Sequence, residues 1–147
     1  MTDRHELCSP ITSSEESGVH HTGHINAEIS QEMQDCITDC QDCHTICLET
    51  ISYCLQMGGE HAEPSHIRLL MDCAEICQTS ADFMIRMSDL HPETCAVCAD
   101  VCERCAADCD RFGDDQVMKA CAEMCRKCAE SCRVMAGTTT TMRRMAA

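Results

Sequence analysis

Residues 35–47 read DCITDCQDCHTIC, with cysteines at 36, 40, 43 and 47, in steps of four, three and four. Such steps return a side chain to one face of an α-helix. The pattern recurs along the chain. Cys54 extends this first row, and CAVCADVCERCAADC sets Cys95, Cys98, Cys102, Cys105 and Cys109 in a second. CAEMCRKCAESC sets Cys121, Cys125, Cys128 and Cys132 in a third, and CAEIC sets Cys73 and Cys77 in a shorter one. These are the a and d positions of heptads, where a helical bundle ordinarily carries Leu or Ile. At a rise of ~1.5 Å per residue, the row from Cys36 to Cys54 is about 27 Å long.

Stop signals divide the chain into four helices. Gly58-Gly59 follows Met57, Pro64 and Pro92 suit first helical turns, and Asp114-Asp115 after Gly113 suits an N-terminal cap. The predicted helices run from about 26 to 57, from 64 to about 89, from 92 to about 113, and from just after 115 to about 137. The connections are short, so neighbours should be antiparallel. The expected fold is all-α, an antiparallel up-down-up-down four-helix bundle with a cysteine-lined core over residues 26–137. Residues 1–25 are polar and without periodicity, and read as a flexible tail carrying His5, Cys8, His20, His21 and His24. TTTTMRRMAA, residues 138–147, reads as a second flexible tail. Ile37, Leu48, Ile51, Leu69, Ile76 and Phe83 flank the rows and are expected to hold the bundle without metal.

Composition removes several function classes. A chain of 147 residues suits one domain, and two Phe, one Tyr and no Trp cannot build its core. The formal net charge of −14 disfavours nucleic acid and anionic membrane surfaces as partners. The N-terminal MTDRHELCSPITSSEE lacks the basic and apolar regions of a secretory leader, and no apolar run approaches the ~18–20 residues that span a bilayer. The expected location is the cytoplasm, where thiols stay reduced. Seventeen cysteines, an odd number, exclude a complete intramolecular disulfide framework.

Cysteine as a small hydrophobe does not explain the rows. Rows of cysteine are thin beside rows of leucine, and each methyl-sized void costs on the order of 1 kcal/mol. The expected lumen is therefore filled by something else. Thiolate is soft and selects Cu(I), zinc or iron–sulfur clusters. Structural zinc sites gather two C-x-x-C knuckles from turns, iron–sulfur sites use loops near Gly or Pro, and a thioredoxin-type pair sits alone at a helix N-terminus. None of these asks for four parallel rows. Cys40-Gln-Asp-Cys43-His44 fits the haem-attachment spacing, yet its cysteines share a row with Cys36 and Cys47. His44 reads as an edge residue or a peripheral ligand. Cu(I) takes two or three sulfurs and shares a thiolate with a second ion, so a ladder of thiols suits it. Two classes stay open: a store of Cu(I) without turnover, and a zinc-binding or redox-responsive thiol protein. With no nucleophile–base pair, nucleotide loop or basic DNA-reading helix in view, an enzyme is not expected. The number of thiols favours capacity over signalling.

The segments CITDCQDCHTIC, CAEIC, CAVCADVCERCAADC and CAEMCRKCAESC make the chain resemble the bacterial copper storage proteins, over residues 26–136. The resemblance implies a bundle whose interior cysteines, here the sixteen from Cys36 to Cys132, bind many Cu(I) ions. It also implies homotetramers, copper ions as the cargo and a copper chaperone as donor. The family has exported and cytosolic branches, and the missing leader places this chain with the second. Cys8 stands outside the rows.

Extended further, the rows take in Met33 and Met57 on the first helix and His66, Leu70, Ser80, Met84, Met87 and His91 from the second onward. On the fourth they take in Met118 and Met135. Antiparallel packing then gathers Met33, Met84, Met87, His91 and Met135 at one end, and Met57, His61, His66, Phe112 and Met118 at the other. A methionine stripe at helical spacing is equally ordinary core. Thioether and imidazole hold Cu(I) more weakly than thiolate, which suits a place where an ion is passed inward. The end with His61 and His66, beside the polar connection GGEHAE, is the expected portal.

Overall fold

The computed structural model describes residues 29–145, with side chains described through Gly137. His5, Cys8, His20, His21 and His24, and the expected tail that carries them, lie outside the described residues. Ser30 opens α1 (Gln31–Met57), its Oγ accepting from the Met33 backbone N–H at 3.2 Å. The helix thus begins at this hydroxyl cap rather than near residue 26. It ends at Gly58, whose φ of +70° favours glycine and whose N–H donates to the Cys54 carbonyl at 3.0 Å. A 3₁₀ turn (Gly59–Ala62) leads into α2 (Pro64–Ile85), with proline in the first turn.

Helix α2 stops before the expected Asp89. Met87 takes a left-handed φ of +52°, its N–H bonds the Met84 carbonyl at 2.9 Å, and the Ser88 N–H bonds the Phe83 carbonyl at 2.9 Å. This is a Schellman cap, usually built on glycine; a side chain there costs about 1–2 kcal/mol. Met87 and His91 therefore do not prolong the α2 row. His91 instead opens α3 (His91–Asp110), with Pro92 in its first turn. Asp115 caps α4 (Gln116–Met145), its Oδ1 accepting from the N–H groups of Val117 at 2.9 Å and Met118 at 3.2 Å. The stop expected at Gly137 does not occur, and helix continues through 138–145. Gly137 does not adopt the left-handed conformation that ends a helix, and no proline follows it.

The helices form a square in which α1 packs on α2, α2 on α3, α3 on α4 and α4 on α1. Across its diagonals they meet through sulfur, Cys43 with Cys102 at 4.0 Å and Cys73 with Cys125 at 3.9 Å. Ala74, Ala99, Ala106, Ala122 and Ala129 each follow a core cysteine directly and are buried, so only a methyl group separates neighbouring backbones there. Ile37 is buried, and Ile51, Leu69 and Ile76 are half-buried against the core. Phe83 is half-buried under the Arg86 guanidinium, 4.2 Å from its ring centre. Leu48, expected beside them, is 48% exposed on the outer face of α1.

Leu70 is the largest fully buried side chain. The reduced, metal-free protein should give a strongly helical far-UV circular dichroism spectrum. Leu70→Ala should lower its unfolding free energy in urea by about 2–5 kcal/mol. A coil spectrum that turns helical only with metal would show that these apolar contacts do not suffice.

Candidate metal centre

All sixteen cysteines from Cys36 to Cys132 are free thiols, none more than 1% exposed. At least twelve of them form a chain of overlapping tetrads. Cys47, Cys105, Cys121 and Cys125 make one; Cys43, Cys47, Cys73 and Cys125 the next; then Cys43, Cys73, Cys77 and Cys102. Cys77, Cys98, Cys102 and Cys128 follow, and Cys40, Cys98, Cys128 and Cys132 close the run. Each tetrad shares two sulfurs with its neighbour and draws on three helices, and its four sulfurs lie within 4.8 Å of one another. Cys36 stands beyond one end, 3.7 Å from Cys132, and Cys54 beyond the other.

Sulfur contacts within the ladder run from 3.5 Å (Cys40–Cys132 and Cys77–Cys102) to 4.0 Å (Cys43–Cys73). A tetrahedron of sulfurs at a metal–sulfur distance of about 2.3 Å has edges of about 3.8 Å. The thiols are thus already spaced for soft metal ions. No loop is needed, because each row holds its sulfurs on a rigid helix.

Among the described residues the buried polar or charged side chains are Asp39, Thr50, His66 and Ser80; no Lys or Arg is buried with the thiols. Asp39 is paired outward with Lys127 at 2.8 Å. Hydrogen bonds with neighbouring thiols, Cys102 first, push the Cys77 thiol up, and burial adds to this. Cys125 and Cys132 are pushed up in the same way, chiefly by Cys105 and Cys128. Donation from Cys102 pulls Cys98 down, and donation from Cys105 pulls Cys121 down. Burial, then the charges of Cys121 and Asp115, push Cys54 up to about 11.

The two ends of the lumen differ. At one, His66 is fully buried with Nε2 3.5 Å from the Cys54 Sγ, and Met118 Sδ lies 3.7 Å from the same sulfur. His66 Nδ1 bonds Asp108 Oδ2 at 2.5 Å, and Arg111 Nε holds the other Asp108 oxygen at 2.7 Å. A carboxylate only accepts, so Nδ1 carries a proton, and in the neutral imidazole Nε2 then faces Cys54 with its lone pair. His61 sits further out, its Nε2 on Asp115 Oδ2 at 3.0 Å, where Tyr53 also donates at 2.8 Å. The Phe112 ring lies against both imidazoles, 4.4 Å from His61 and 4.8 Å from His66. Met57 is 55% exposed and stands apart from the sulfurs. At the opposite end Met84 and Met135 are buried and Met33 half-buried, while Met87 is exposed. There the His91 Nδ1 is tied to the Ser88 carbonyl at 2.9 Å. His44 is an edge residue, its Nδ1 donating to the Ala74 carbonyl at 2.8 Å.

The sequence profile of the copper storage protein family matches residues 29–137. The chain belongs to that family. A solved protein of Nitrosospira multiformis is 45% identical, with a TM-score of 0.69 over 74% of this chain and 97% of that one. Apo copper storage protein 3 of Bacillus subtilis is 40% identical, with a TM-score of 0.62 over 70% of this chain and 97% of its own. A cytosolic copper storage protein of Streptomyces lividans, solved with five coppers, is 29% identical, with a TM-score of 0.63 over 72% and 92%. No helix among the described residues is long and apolar enough to cross a membrane.

Within this copper storage fold, sequence reasoning found the thiols and both histidines but missed Asp108, Asp115 and Tyr53. They come from other helices, and no spacing links them to His61 or His66. Asp108 directly precedes Cys109, which is the one signal that it borders the lumen.

Folding favours the protonated form of Cys54, since its thiol rises from 9.0 to about 11. That contribution to stability is complete below about pH 9 and is lost as pH rises towards 11. Thermal unfolding of the metal-free protein should give a Tm that is flat through neutral pH and falls above about pH 9, with Cys54→Ser removing part of the fall. A Tm unchanged to pH 11 would count against the buried, protonated thiol.

Proposed function

We propose that this protein stores and buffers Cu(I) in the cytoplasm, without catalytic turnover. Many ions bind as thiolate clusters to the sixteen cysteines from Cys36 to Cys132. One observation carries the reading: among the described residues the lumen is sulfur with no Lys or Arg buried beside it. Sulfur spacing alone admits zinc as well as copper, but charge separates them. A divalent ion held by four thiolates leaves two negative charges in a low-dielectric core, at a cost of several kcal/mol per ion. Cu(I) at one ion per thiolate leaves none, and each ion replaces one thiol proton. The Streptomyces lividans relative, cytosolic and solved with five coppers, agrees with this reading.

Copper enters at the end carrying His61 and His66. There a lone pair of buried His66 already faces Cys54, with the Met118 thioether beside it. Methionine side chains plug the other end. His61, behind Phe112, is the outer station, and a copper chaperone is the donor that would present Cu(I) to it. The functional unit is a homotetramer, and Cys8 takes no part in storage.

Anaerobic titration of the full chain, and of a chain lacking residues 1–25, should give about one Cu(I) per core cysteine in both. A few tightly held Zn(II) and little Cu(I) would favour the zinc-binding reading, and a large loss on truncation would place storage in the tail. In stopped-flow loading, the double variant His61→Ala, His66→Ala should fill more slowly to an unchanged capacity. Slowing only when Met33, Met84, Met87 or His91 is replaced would put the portal at the opposite end.

A further inference from the structure

Two of the buried polar side chains have no partner. Thr50 Oγ1 and Ser80 Oγ are sealed from solvent and accept or donate no hydrogen bond. Asp39 and His66, buried with them, are both paired. Other hydroxyls on the helices bond the carbonyl one turn back: Thr38 that of Gln34 at 3.1 Å, and Thr45 that of Gln41 at 3.0 Å. Thr50 and Ser80 forgo this bond. An unpaired buried hydroxyl destabilises the fold, so both positions call for a partner that the metal-free state does not supply.

Both residues stand in the cysteine rows. Thr50 is three residues after Cys47 and four before Cys54; Ser80 is three after Cys77 and four before Met84. Side chains on a helix lean towards its N-terminus, over the preceding turn. Thr50 thus stands one turn after Cys47 in its row, and Ser80 one turn after Cys77. Each of these cysteines belongs to two of the overlapping tetrads. Neither hydroxyl bonds a sulfur in the metal-free bundle, where a thiol is only a weak acceptor. A thiolate is a strong, charge-assisted one.

We propose that Thr50 and Ser80 are positioning residues for the loaded clusters, their hydroxyls donating to the metal-bound thiolates of Cys47 and Cys77. The inference rests on the Cu(I) storage reading and adds to it an oxygen-donor shell outside the sulfur ladder. On loading, Cu(I) binds the sulfur, the thiol proton leaves to solvent, and the hydroxyl keeps its own proton while turning it onto the new thiolate. No electron is transferred. The hydrogen bond exists only in the loaded state, so it adds to the affinity for metal and nothing to the empty fold. It also draws negative charge from sulfurs that bridge ions, and so holds the ladder together at both flanks of its midpoint.

The test compares Thr50→Val and Ser80→Ala, singly and together, with the wild type and with Thr50→Ser, which keeps the hydroxyl. Cu(I) affinity is read by competition with a chromophoric Cu(I) chelator at fixed pH, and the cluster by its sulfur-to-copper charge-transfer absorption. Each hydroxyl-free variant should hold its adjacent ions about ten- to a hundredfold more weakly, with an altered charge-transfer band and unchanged total capacity. The Tm of the metal-free variants should equal or exceed that of the wild type, because an orphaned polar group has gone. Thr50→Ser should restore affinity and band together. Wild-type affinity and spectrum in the double variant would overturn the proposal. So would a lower metal-free Tm, which would show that the hydroxyls already have a structural partner. A wild type that takes up no Cu(I) would instead overturn the storage reading itself.

Discussion

A column of sulfur with no cation beside it is the condition on which the rest of this structure depends. Sixteen buried thiols can be neutral in two ways. Each keeps its proton, or each exchanges it for a monovalent soft ion. Both states would leave the interior uncharged, so a bundle that folds empty would fill without exposing or burying net charge. A lysine or arginine in the lumen would break this equivalence, favouring thiolate without metal and anionic clusters with it. Most acidic side chains among the described residues lie on the outer faces. There they make ion pairs such as Arg126–Asp110 and Arg133–Glu103.

Close packing of the helices is the mechanical counterpart of that condition. Sulfurs reach one another across the diagonals, and the buried alanines that follow core cysteines put only a methyl group between helices there. Replacing those methyl groups by larger ones would push the rows apart and turn the tetrads into separate pairs. The repeated Cys-Ala dipeptide thus encodes two faces at once, a sulfur towards the axis and a small contact towards the next helix.

The ends of the column are governed by different chemistry. Where α1 hands over to α2, two carboxylates fix the tautomers of two imidazoles, and a soft lone pair meets the first buried thiol. Where α2 hands over to α3, thioethers cover the sulfurs. The second connection is held by a left-handed Met87, so the backbone there carries strain that the glycine pair of the first connection avoids. Both devices lie in short connections between rigid helices, where chain reversal allows residues of three helices to meet.

Periodicity by itself determined that this chain makes four helices and that sixteen cysteines face inward, because steps of three and four on a helix leave no other common face. Composition and the overlapping rows, read as chemistry, pointed to a soft metal ion as the occupant. Local boundaries were less legible. The Ser30 cap, the early stop at Met87 and the helix that continues through Gly137 each depend on which of several weak signals wins. Leu48 looked like core but faces outward, since a row's flank is buried only where a neighbouring helix covers it. Tertiary structure alone decided which sulfurs share a tetrad, since that depends on the axial register of one helix against another. It also decided that Asp108 and Asp115 orient the histidines, and that Thr50 and Ser80 are left without partners. Such relations join residues far apart in the chain through distances of a few ångströms, and no spacing along a single helix records them.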